Sequence, residues 1–147
     1  MLSPSEIRLG IVIVETYVRS YSRIDVVDEA YMPLLESLKR RGCLESNIQV
    51  KFVPCDFDIP LGVLFFAEYT DVDGVIVIGN GYDATIAKLL LDLQIQWNMP
   101  VEYHYEGADT DRGRSVISMV LMQSMMADDV PEEQRLPVTV RRDNNVN

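Results

Sequence analysis

A chain of 147 residues is long enough for one domain that buries well over half of its unfolded surface. Its 23 acidic and 13 basic side chains leave a formal net charge of −10, which argues against sequence-independent nucleic-acid binding, because that needs a basic face. Hydrophobic residues make up 48%, yet no apolar run reaches the ~20 residues of a membrane span. The expectation is therefore a cytoplasmic protein with neither nucleic acid nor membrane as partner.

In chain order, Ile7–Val14 (IRLGIVIV) is a nearly continuous β-branched run, as in a strand buried on both faces of a parallel sheet. A polar loop follows, and then Asp25 can cap a helix with apolar positions Val26, Val27, Ala30, Leu34, Leu35 and Leu38. Lys39, Arg40 and Arg41 suit the negative end of its dipole, and Gly42 can end it. Pro33 inside this pattern predicts a kink or a late start.

Ile48–Val53 reads as a second strand, and Ile59–Tyr69 as a helix with Pro60 in its first turn, where a missing N–H costs nothing. Gly74–Gly79 is a third strand. Ala84–Trp97 is an amphipathic helix with Ile86, Leu89, Leu90, Leu93 and Trp97 on one side. Pro100–Tyr105 is a fourth strand and Ser115–Ala127 a Met-rich last helix. Alternating strands and helices with short connections give an α/β fold: a three-layer αβα, flavodoxin-like domain over residues 1–127. Its four-stranded parallel sheet has the expected order 2-1-3-4. Residues 128–147 lose helical periodicity and read as a tail that is flexible or held by a partner chain. Within it LPVTV is able to add a strand to a neighbour's sheet edge.

Ligands of open parallel sheets bind beyond the carboxyl ends of the strands. Four polar loops fall there: Glu15–Arg23, Pro54–Asp58, Asn80–Asp83 and Glu106–Arg114. Asn80 and Gly81, in GNGYD, can offer backbone N–H groups to an anion, although a tight turn also calls for glycine. No GxGxxG follows the first strand and no GxxxxGK[ST] occurs. His104 is the single histidine, so no His cluster exists for zinc, and it reaches either the loop cleft or a subunit contact. Cys43 and Cys55 have neither CxxC spacing nor a disulfide framework.

The segment VPCDFDIPL carries two acids around a phenylalanine. An extended backbone would put Asp56 and Asp58 on one side and Phe57 on the other. One of the acids can cap the following helix while the other accepts hydrogen bonds from a polyol or base edge.

That segment, with the element order and chain length, resembles lumazine synthase, whose second strand runs into a motif close to V-P-G-A-x-E-h-P, where h is apolar. IRLGIVIVETY is similar to the family's first strand and the aromatic residue after it. LKRRGC is similar to the end of its first helix, VDGVIVIGNG to its third strand and NMPVEYHYEG to its fourth. The archaeal type of riboflavin synthase offers a second, incomplete comparison.

The resemblance implies a cofactor-independent condensation of a ribitylaminopyrimidine with a four-carbon phosphorylated ketone. It also implies a homo-oligomer, a pentamer or a larger shell, with sites between subunits. Residue by residue, it implies that Tyr17 stacks on the pyrimidine and that Asp58 holds ribityl hydroxyls. Phe57 and Tyr103 stand where the family has site residues. The cap is then expected of Asp56, while Asp58 faces the cleft and Phe57 lines it or its rim. The family's I-R-G-x-T-x-H loop has no counterpart in Gly79–Ile86, so proton transfer would fall to His104 or Asp83, and phosphate binding to Arg112 and Arg114. The alternatives are a non-catalytic relative that keeps the assembly as a shell or flavin-like ligand binder, and an unrelated flavodoxin-like binding domain. The run Leu64, Phe65 and Phe66 supports a ring assembly, because one core-facing stripe cannot bury all three.

Overall fold

A computed structural model describes residues 2–16, 23–105 and 111–131. Four parallel strands, β1 (Leu9–Val14), β2 (Ile48–Val53), β3 (Gly74–Ile78) and β4 (Val101–His104), form one sheet in the order β2-β1-β3-β4. This is the predicted order. β1 and β3 are buried along their whole length, as their β-branched runs require, while β2 at the edge alternates between partly buried and exposed residues.

Helices cover both faces. On one, α1 (Arg23–Val26), a π turn (Val27–Tyr31), α2 (Met32–Arg40) and α5 (Arg114–Asp129) close over Leu9, Ile11, Ile13, Ile76 and Ile78. On the other, α3 (Ile59–Tyr69) and α4 (Ala84–Trp97) close over Val12, Val14, Val75 and Val77. The alternation along β1 and β3 thus sorts neighbouring side chains into two cores, which between them cover the sheet.

The structure refines several boundaries. Ile7 is fully buried but precedes the first strand, and the last helix runs to Asp129, taking the first residues assigned to the tail. The disturbance expected at Pro33 is the π turn: proline has no N–H for the carbonyl four residues back, and the helix widens by one residue just before it. Leu89, expected on the buried side of its helix, is exposed, while Ile86 and Leu90 are buried. In the run Leu64–Phe66, Phe66 is fully buried, Leu64 partly, and Phe65 exposed under the Lys51 ammonium, 5.3 Å from its ring centre. No helix among the described residues is long and apolar enough to cross a membrane.

Candidate functional site

The carboxyl ends of β1, β2 and β3 are tied together by side chains. After β2 the chain makes a 3-10 turn over Asp56–Asp58 rather than an extended segment, so the two acids part company. Asp56 turns inward, and its Oδ1 accepts the Asn80 backbone N–H at 3.0 Å. The Asn80 amide in turn donates to Thr16 Oγ1 at 3.1 Å, linking the loop after β1 to the loop after β3. Gly79 permits this approach, because a Cβ there would stand 3.1 Å from Ile59 Cδ1 and 3.2 Å from Asp56 Oδ1.

The cap expected from Asp56 is therefore not formed. Asp58 occupies the N-cap position of α3 without a side-chain cap bond and accepts the Cys55 thiol at 3.1 Å. Phe57 stands at the rim, 88% exposed. Tyr17, the expected stacking residue, lies outside the described residues.

Beside this cluster three tyrosines meet. Tyr82, Tyr103 and Tyr105 have ring centres 5.6–6.3 Å apart, and the Tyr103 hydroxyl donates to the Gly81 carbonyl at 3.0 Å. Burial pushes the Tyr103 phenol above its usual pKa. A hydrogen bond to the Asp83 backbone opposes that rise, and the Asp56 and Asp83 carboxylates add to it. The rim thus offers aromatic surface, its rings inclined 31–65° to one another, beside the loop that carries the Asp56 and Asp58 carboxylates.

The two residues expected to move protons are engaged elsewhere. Asp83 is the N-cap of α4, its Oδ1 accepting from Ile86 N at 3.0 Å. Strand alternation sends the His104 side chain to the face opposite Tyr103, where its Nε2 meets Glu102 Oε2. Glu102 is buried and also accepts the backbone N–H groups of Gly113 (2.6 Å) and Val116 (2.8 Å), closing the start of α5. Burial alone would raise the Glu102 carboxyl pKa, but hydrogen bonds from His104, Gly113 and Val116 outweigh it and hold the value below the usual range.

The arginines lie on the α2–α5 side. The Arg112 carbonyl accepts from Ser37 Oγ at 2.9 Å, Arg114 lies 3.4 Å from Asp111, and Asp111 also pairs with Arg41. A cavity of about 450 Å³ lined by Ser37, Arg40, Arg41 and Asp111 opens there. His104 and Asp83 are thus not brought together, while Asp56, Asn80, Gly81 and Tyr103 are. Glu102 was absent from the sequence-based candidates, although its signal was present: an acid two residues from the only histidine, on one face of a strand that otherwise disfavours Glu. Among the described residues no group of three or more His, Cys, Asp or Glu side chains could hold a metal ion.

Fold and loops together define an open parallel α/β sheet with a polar rim carrying three tyrosines at its carboxyl end. No known family's sequence profile matches the chain. One stretch of 45 residues is 40% identical to 6,7-dimethyl-8-ribityllumazine synthase of Bacteroides fragilis, covering 31% of this chain and 32% of that protein. The chain thus aligns with about a third of that relative's length.

Proposed function

We propose that the protein is lumazine synthase-like and acts in riboflavin biosynthesis as a cytoplasmic homo-oligomer. It would condense a ribitylaminopyrimidine with a four-carbon phosphorylated ketone. The observation that carries this is the rim at the carboxyl end of the sheet: a cluster of Tyr82, Tyr103 and Tyr105 rings with the Asp56 and Asp58 carboxylates in the neighbouring loop suits an aromatic ring bearing a polyol. The stretch similar to the Bacteroides fragilis enzyme supports the same reading. The experiment is incubation of the purified protein with both substrates, reading formation of the ribityllumazine by its fluorescence. Turnover above the uncatalysed rate is expected, and its absence removes the catalytic reading.

A second reading, a non-catalytic relative that binds a flavin-like ligand, is favoured by one arrangement. His104 is held by Glu102 on the face away from the tyrosines, and Asp83 is occupied as a cap, so neither stands free to shuttle protons. In that case calorimetry detects binding of a ribityl pyrimidine while no product accumulates.

A further inference from the structure

Among the described residues no strand pairs with the outer side of β4, and we infer that this edge receives Leu136–Val140 of a second copy of this chain, antiparallel to β4. Val75 N donates to the Pro100 carbonyl and Gly79 N to the His104 carbonyl, so the even-numbered residues of β4 face β3. The odd ones therefore turn their backbone groups to the open edge. The Val101 N–H there is taken by Gln94 Oε1 at 2.8 Å. The Val101 carbonyl and both backbone groups of Tyr103 remain directed outward.

Alongside this edge runs a groove of about 270 Å³ lined by Ala87, Leu90, Leu91, Gln94, Val101 and Tyr103. Leu-Pro-Val-Thr-Val alternates apolar side chains at 136, 138 and 140. In an antiparallel pair, residues that bond each other also share a face. With Val138 opposite Val101 and Leu136 opposite Tyr103, the alternating apolar residues lie over the groove. Pro137 then points its missing N–H to solvent, as edge prolines do. Charge agrees as well: Arg135–Arg142 holds three arginines and no acid, in a chain of net charge −10.

The segment cannot come from the same copy. Gln123 reaches Asn98, so α5 passes the start of β4 and runs on about 9 Å to Asp129. Reaching Tyr103 from there means climbing about 25 Å along the sheet and also passing from the helix layer round to its edge. The link from Asp129 to Leu136 spans about 24 Å at full stretch. A parallel return would be shorter, but α3 and α4 carry the chain toward this edge on one face and α5 lies on the other. That crossover would have the hand that about 98% of such units avoid, and it would aim Pro137 at β4.

This inference rests on the homo-oligomeric part of the proposed function. The test uses the full chain in analytical ultracentrifugation. Val138→Pro should weaken self-association roughly tenfold or more by losing a ladder bond, while Thr139→Ala, on the other face, should leave it unchanged. In a Cys55→Ser background, mixing Leu91→Cys chains with Val138→Cys chains should give a disulfide between the two variants that neither gives alone. A wild-type protein that is monomeric overturns the inference together with the assembly. An assembly that Val138→Pro leaves intact, or one without the mixed disulfide, overturns the inference alone.

Discussion

Removing the charge of Glu102 would leave the Gly113 and Val116 N–H groups and His104 facing a neutral amide in a buried place. Hydrogen bonds to a charged group contribute about 1.5–3 kcal/mol each net, so Glu102→Gln should lower unfolding free energy by roughly 2–4 kcal/mol in denaturant titration. The folded carboxyl has a pKa below its unfolded value. Its stabilisation is therefore complete above the unfolded pKa and is lost as pH falls through the folded one. Wild type should lose stability on the acid side over that window, and Glu102→Gln should lose less of it. At the cleft, Asp58→Asn should weaken ribityl-pyrimidine binding by roughly 1.5–3 kcal/mol in calorimetry. Asp56→Asn keeps an acceptor for Asn80 N but loses the charge, so its effect should appear as about 1 kcal/mol of stability. The sequence reading expected Asp56 to cap α3, whereas Asp58 holds the N-cap position without a side-chain cap bond and Asp56 binds Asn80 N. Pattern alone does not show that a three-residue turn over Asp56–Asp58 sends the two acids different ways, nor that Gly79 admits a carboxylate across the sheet.

Element by element, the strands and helices were legible because buried parallel strands and two-faced helices have strong periodicities, and β2, α3 and α4 begin and end where the sequence put them. What escaped were features set by partners distant in sequence. The start of α5 depends on Glu102, and its N-cap Gly113 has φ +94 with a would-be Cβ only 2.5 Å from Leu38 Cδ2. Gly113→Ala should therefore destabilise by about 1–3 kcal/mol from backbone strain, with packing cost added, and thermal melting would register it. The direction of His104 was likewise undecidable until strand register placed it beside Glu102 and opposite Tyr103.

At the scale of the whole molecule, Leu89, Leu91 and Ile95 stand exposed on α4, and Met119, Met122, Met125 and Met126 on α5. These are two separate apolar stripes on opposite faces of the sheet, and exposed apolar patches are where contacts with another protein form. If the protein assembles as proposed, Ile95→Glu, at a position already 72% exposed, should shift sedimentation toward smaller species without lowering the melting temperature of the single chain. The bridge from Thr16 through Asn80 to Asp56 bears on how such an assembly would respond to a ligand. Three loops that meet at one residue, through its backbone N–H and its side-chain amide, cannot choose conformations independently, so the entropy of ordering them is spent largely once, before any ligand arrives. Asn80→Ala removes the side-chain half of this bridge and keeps the backbone bond to Asp56, so it should free the loop after β1 alone. Faster amide exchange at Thr16, with little change around Asp56, would report that release, along with a ligand affinity that falls chiefly through its entropy.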